Sequence, residues 1–206
     1  MTLGWAPSGD TEIVPFQKIV DEFALGSVNH SPAFFDIVKL HSFNADYIRA
    51  MSLEEFINAC QPWLTSEKAP WQASEYDPKV FAEIAPLVQT RVQLLQEVPG
   101  MVDFLFCDLP TLDDAAFVKA FAPEWAVATL IEVRNGFTTC EFAPDALKAV
   151  VEAVGEKHSL KLGKLQAPLR VAVTGRSVGP PLFEPIAMLG REATLKRIDA
   201  ALAKKV

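Results

Sequence analysis

Apolar residues in this chain recur at three- and four-residue spacings and almost nowhere at two. That is the pattern of helices with one buried face, not of half-buried strands. The clearest case is "FAPDALKAVVEAVG", where Leu147, Val150, Val151 and Val154 share a face and Gly155 stands where a helix stop belongs. "SLEEFINACQPWL" opens on a capping box, Ser52 with Glu55, and gathers Leu53, Phe56, Ile57, Cys60 and Leu64. Asp77-Pro78 combines an N-cap with proline at the first helical position. Phe81, Ile84 and Val88 follow as one face, which Val92 and Leu95 extend. "REATLKRIDAALAKKV" turns Leu195, Ile198 and Leu202 inward and ends in basic residues that suit the helix dipole. Pro15 opens a shorter helix with Phe16, Ile19, Val20 and Phe23 on one face and Gly26 as its stop. Asp36 begins another, and Thr111 with Asp114 resembles one more start. Only "LRVAV" reads as a strand, and a lone strand makes no sheet. The expected fold class is all-α, without internal repeats.

Half of the residues are apolar, and fourteen Phe and four Trp are hard to leave in water, so a packed core is expected rather than disorder. No apolar run approaches the length that crosses a bilayer, and the N-terminus carries no basic-then-apolar leader. A soluble, cytoplasmic protein with no membrane partner is the expectation. Cys60, Cys107 and Cys140 are widely spaced and odd in number, which argues against a disulfide framework and a zinc site. "TSEKAPWQASEYDP" is polar, holds two prolines and lacks a period, so a linker is expected over residues 65–78. A second boundary is expected near "CDLPTLDD".

One segment invites a nucleotide reading. "PLRVAVTGRSVGPPLFEPIAMLG" runs from an apolar stretch through two glycines into another apolar stretch. A phosphate loop, however, needs a lysine and a hydroxyl straight after its second glycine. Here Gly179 meets Pro180 and Pro181, which have no N–H to offer. The histidines are isolated, no nucleophile elbow exists, and the adjacent carboxylates Glu54–Glu55 and Asp113–Asp114 read as solvated helix faces. No catalytic constellation and no metal site are expected, and a helical binding module leads on physics alone. Charge adds a direction. Residues 1–156 hold 9 Lys/Arg and 23 Asp/Glu, net −14, whereas residues 157–206 hold 10 and 3, net +7. Such a split suits an anionic partner for the C-terminal part, or a tail made basic for solubility.

Four stretches occur in an order that carries further meaning: "LGW", "VNHSPAFFDIVKLHSFNADYIR", "LVQTRVQLLQEVPGM" and "LGKLQAPLRVAVTGRSVGPPLFEPIAMLGREATLKRIDAAL". Together they resemble the C-terminal part of bacterial-type glutamyl-tRNA synthetases. The "PLRVAVTG" run with the following "LFE" and "LG" is the most specific block, and Pro110–Glu141 is the least recognisable stretch. The family joins glutamate to its tRNA using ATP and magnesium, in a Rossmann-type catalytic domain with "HIGH"-like and "KMSKS"-like motifs. Neither motif exists in this sequence, so the resemblance implies no catalytic residue and no cofactor held by this chain. It implies an all-α, tRNA-binding portion that works beside the catalytic domain of its parent. Residues 1–66 would end the stem-contact region, 67–110 would form a first anticodon-binding subdomain and 111–206 a C-terminal one.

The resemblance also implies site residues. Arg170 matches an arginine that contacts anticodon nucleotides, Leu182 a position that packs on an anticodon base, and Arg91 an arginine that discriminates a base in some members. Gly179 and Pro180 belong to the same loop. Lys161, Lys164, Arg176, Arg191 and Arg197 are the expected contacts to the tRNA backbone. Structural roles compete for each: core packing for Leu182, a salt bridge for Arg170 or Arg91, plain surface charge for the rest. Asn44, Tyr47 and Arg49 read as structural. The chain departs from the pattern at Ala167, where glutamine is common, and at Pro181, where a polar residue or glycine is common. A free-standing helical RNA-binding or scaffolding module of the same descent is the competing reading.

Overall fold

A computed structural model describes residues 4–9, 13–29 and 34–205. His30, Ser31 and Pro32, part of the second matching stretch, lie outside the described residues. Eleven α-helices and two short 3-10 turns account for the regular structure there, with no strand among the described residues. The all-α expectation holds, and "LRVAV" is helical.

The helices are α1 (Phe16–Glu22), α2 (Ile37–Ala50), α3 (Leu53–Leu64), α4 (Pro78–Gln89), α5 (Val98–Phe106), α6 (Asp114–Phe121), α7 (Trp125–Thr139), α8 (Pro144–Lys157), α9 (Leu162–Thr174), α10 (Phe183–Leu189) and α11 (Arg191–Lys205). The local signals act as expected at several starts. Asp36 accepts from the N–H groups of Val38 and Lys39. Ser52 and Glu55 close a full capping box, and Asp77 accepts from Lys79 N–H ahead of Pro78. Each satisfies donors that the first helical turn cannot pair internally.

Two cores result. The first runs from Ile48 to Phe106 and is centred on Phe56, Phe81 and Ile84, all fully buried. The polar stretch 65–78 is not a spacer. Trp71 enters this core, stacks on Tyr76, tilts against Phe106 and donates its indole N–H to Leu64 O. The boundary expected at residue 66 therefore falls inside one packed unit, because a single tryptophan outweighs the polar composition around it. The second core, from Ala116 to Ala201, is built by α6–α11 around Phe137, Leu147, Leu169 and Ile198. The change of core falls between Phe106 and Ala116.

Four local readings need correction. Val92 is buried, but α4 ends at Gln89 and the chain reaches Val92 and Leu95 through a turn and a 3-10 turn. The cap of α6 is Asp113, one residue before the helix and accepting from Ala116 N–H, rather than Thr111. Gly155 lies inside α8, where a Cβ would sit 2.7 Å from Leu160 O. Close backbone approach, not helix termination, explains that glycine. The face of α1 is turned outward: Phe16, Val20 and Phe23 are exposed, as are Leu25, Phe34, Phe35 and Val38. The helix ends at Glu22, before Gly26. An apolar stripe this wide is left uncovered by the described residues.

The two cores are joined by polar contacts as well as by Met188 of α10, which packs on the first core. Arg197 on α11 is only 2% exposed. Its guanidinium donates to Cys107 O at 2.5 Å, Val173 O at 3.0 Å and Asp108 O at 3.2 Å. Planar, five-donor geometry lets one side chain hold the inter-core connection and α9 together.

Candidate nucleic-acid interface

Helix α9 ends in Gly175, whose left-handed backbone (φ 76°) closes the helix with an N–H donated to Val171 O. The chain then runs through residues 175–182 into α10. Arg170 lies on the last turns of α9, half-buried, and donates from Nη1 to Pro180 O at 2.7 Å. Gly179 stands beside it: a Cβ there would lie 3.2 Å from the same Nη1. The turn "GPP" is therefore shaped around a guanidinium. Its first residue leaves room, and its second turns a carbonyl toward the charge.

Arg91, in the turn after α4, is exposed and close enough to act on Arg170. Burial first, and then the charge of Arg91, push the Arg170 guanidinium down from its usual value. An arginine stays charged under such pressure. The charge of Arg91 thus bears on Arg170, and among the described residues no carboxylate pairs with either. A bound anion would relieve the pressure on Arg170. The fold closes Gly179 and Pro180 onto Arg170 and sets Arg91, nearly eighty residues earlier in the sequence, within electrostatic reach of it.

The remaining expected contacts divide. Leu182 is 3% exposed and packs in the second core, so it offers no surface to a base. Its place just before α10 faces inward because Phe183 and Ile186 anchor the same turn. Arg197 is buried on its three carbonyls and cannot reach a phosphate. Arg191 donates to Phe137 O, Thr138 O and Cys140 O and lies over the Phe142 ring, so it caps the end of α7. Arg176 binds the carboxylate of Asp103 and pins the 175–182 loop to α5. Of these residues, Lys161 and Lys164 alone carry an exposed side chain without a protein partner among the described residues.

The charge split has an internal answer. Lys157 pairs with Glu132 at 2.8 Å, Lys196 with Asp108 at 2.6 Å and Lys204 with Asp114 at 2.7 Å. Much of the basic excess of the C-terminal part therefore faces carboxylates of the preceding part. Within the C-terminal part, Lys161, Lys164 and Lys205 stay without an ion-pair or hydrogen-bond partner for their ammonium among the described residues.

Asp103 carries a cost. Its side chain is buried, and its Oδ1 has no hydrogen-bond partner among the described residues. Burial raises its pKa, and the opposing charge of Arg176 does not offset it. A carboxyl whose folded pKa is raised stabilises the fold below its unfolded pKa and loses that contribution as pH rises through the folded value. Asp103→Asn abolishes this titration. The stability of the parent relative to Asp103→Asn is therefore expected to be greater at pH 4 than at pH 7, read by urea unfolding at both. A difference that is flat or runs the other way would show that Arg176 dominates.

Sequence reasoning did not reach Lys119 and Trp125, which lie across a groove from Lys164 and Ala167. Both sit in the stretch with least resemblance. The legible signal was small residues at Ala116, Ala120 and Ala167, which leave space between two helices. Among the described residues no cluster of three His, Cys, Asp or Glu could hold a metal ion, and no helix is long and apolar enough to cross a membrane.

Known proteins give this geometry a frame. A family model described as "Anticodon binding domain" matches residues 55–202. A glutamate–tRNA ligase of Salinispora tropica is 53% identical over 206 residues, with 98% of this chain and 44% of that protein covered. One from Thermobifida fusca is 48% identical, with 99% and 43% covered. A crystal structure of a glutamate tRNA ligase from Elizabethkingia meningosepticum in complex with its amino acid superposes with a TM-score of 0.72 at 25% identity, over 98% of this chain and 39% of that one. The chain thus spans less than half the length of the curated relatives it matches, and it belongs to the anticodon binding domain family found in glutamate–tRNA ligases.

Proposed function

We propose that this chain grips the anticodon arm of the glutamate tRNA and so presents that tRNA to a glutamylating catalytic domain elsewhere in its parent protein. Arg170, anchored on Pro180 O without a carboxylate partner among the described residues and within reach of the charge of Arg91, carries the reading. Anticodon bases are unstacked, and their edges are recognised by hydrogen bonds while their phosphates need cations. An arginine fork with one donor committed to Pro180 O is held in place and still has donors free for RNA. The prolines of the turn fix the loop at low entropy cost. ATP and magnesium belong to the chemistry of that other domain. The uncovered apolar face of α1 and residues 34–40 fits a surface on which the rest of the parent packs, and the limited share of each relative covered supports this.

Fluorescence anisotropy with the glutamate tRNA and with a copy altered only in its anticodon, each at two salt concentrations, tests the reading. The unaltered tRNA is expected to bind more tightly, by about 5- to 150-fold, or roughly 1–3 kcal/mol. Arg170→Ala and Arg91→Ala are each expected to shrink that ratio. Equal binding of both tRNAs, with only a salt effect, would leave a nonspecific polyanion patch in place of an anticodon site.

A further inference from the structure

We infer that the groove between α6, the start of α7 and α9 is a second nucleotide subsite, which holds one unstacked base of the RNA strand that meets Arg91 and Arg170. The inference rests on the anticodon-arm reading and extends it beyond the arginine pair. The groove has a volume of about 370 Å³, within the usual range of small-ligand pockets. Ala120, Ala167 and Val171 form an apolar floor, and half-buried Trp125 contributes a wall. Lys119 from one helix and Lys164 from another stand at its edge, and no carboxylate lines it. Neither ammonium has a hydrogen-bond or ion-pair partner among the described residues, although most cations of this bundle are paired.

These features select an occupant. Two unanswered cations on opposite walls favour an anion, and an apolar floor beside an indole favours a flat π-face. A nucleotide of single-stranded RNA supplies both in one unit, a base to stack and a phosphate to neutralise. An apolar peptide would leave both lysines unanswered. Continuity points to the same strand. Ser177 lines the groove and belongs to the loop that holds Gly179 and Pro180, and Ala167 lies one helical turn before Arg170. The small side chain of Ala167 keeps the groove deep enough for a base.

The test uses a fluorescent anticodon stem–loop RNA with the glutamate anticodon. Companion RNAs carry an abasic site at each loop position flanking the anticodon in turn. Ala167 is an exposed helix position, so Ala167→Phe fills the groove without disturbing the core. It is expected to weaken stem–loop binding about tenfold, the scale of removing one base stack. One abasic RNA should bind the parent chain more weakly by a similar factor and show no further weakening on Ala167→Phe. Trp125→Leu should weaken the intact RNA in the same way. Lys119→Gln with Lys164→Gln should flatten the salt dependence by about 0.7 in log–log slope for each phosphate these lysines neutralise. Parent-like binding by Ala167→Phe, or an equal weakening on every abasic RNA, would overturn the subsite. Loss of anticodon preference with the abasic non-additivity intact would uphold the groove and sink the anticodon reading alone. A parent chain that binds no stem–loop would overturn both.

Discussion

Arg197→Ala is expected to destabilise the folded chain by about 4 kcal/mol, in the range seen when one partner of a buried charged contact is removed. The magnitude follows from what is left behind. The carbonyls of Cys107, Asp108 and Val173 are stripped of their donor, that of Val173 in a buried setting, and the methylene stem that packed above them goes as well. Each charge-assisted bond contributes about 1.5–3 kcal/mol, and three sharing one donor group do not add fully. Arg197→Lys keeps the charge but not the fork, so it is expected to recover roughly half of the loss. Thermal unfolding followed by circular dichroism should show Arg197→Ala melting about 8–16 °C lower, at 2–4 °C per kcal/mol for a chain of this size. A second consequence separates this role from tRNA contact. Below its own melting range, Arg197→Lys should bind the glutamate tRNA with the salt dependence of the parent. A lowered salt slope would mean that the side chain leaves its pocket to meet a phosphate.

Much of the fold was legible because it is written in local chemistry. Capping residues, proline at first helical positions and three-four apolar spacing specify helices without reference to distant partners. They placed the starts of α2, α3 and α4 and the faces of α8 and α11. The errors came where tertiary context decides. Residues 65–78 look like a linker by composition, yet Trp71 reaches a core that no local pattern reveals. Val92 is buried but not helical, since burial is set by what surrounds a turn. The outward face of α1 carries the same spacing as a buried one, because periodicity reports a stripe and not its cover. The candidate site divides in the same way. Motif resemblance found Arg170, the loop residues Gly179 and Pro180 that follow it, and Arg91 far away in sequence; the fold closes the loop onto Arg170 and brings Arg91 within electrostatic reach. It also drew in Arg191 and Arg197, whose donors are taken up by carbonyls inside the protein. Charge counts cannot distinguish a cation aimed at solvent from one aimed at a helix end. Lys119 and Trp125 were missed because a groove depends on three segments at once.

Gly175→Ala is expected to cost about 3 kcal/mol and to weaken tRNA binding as well, because two constraints meet at one backbone position. The residue adopts a φ of 76°, where an L side chain costs about 1–2 kcal/mol. Space adds a larger difficulty. A Cβ would sit 2.3 Å from Thr111 O and 3.0 Å from Thr111 C, backbone atoms that cannot rotate aside. The chain must move at one of two places. If residues 107–113 shift, Asp113 loses its N–H···O bond of 2.9 Å to Gly175 O, and the cap of α6 moves with it. If the loop shifts instead, Arg176 leaves Asp103 and Pro180 O leaves Arg170, which frees the arginine fork from its fixed orientation. Either route disturbs the junction where Arg91 and Arg170 converge. Urea unfolding measures the first effect, and anisotropy with the matched and altered tRNAs measures the second at a temperature where the variant stays folded. Gly163→Ala is the control: it lies in the helix that Gly175 closes, with nothing within 4 Å of a built Cβ, and alanine there is expected to be neutral or stabilising by up to about 1 kcal/mol. Should Gly175→Ala prove as stable as Gly163→Ala, the close approach of the two connections is not a feature of the folded protein, and the loop owes its shape to Arg170 and Arg176 alone.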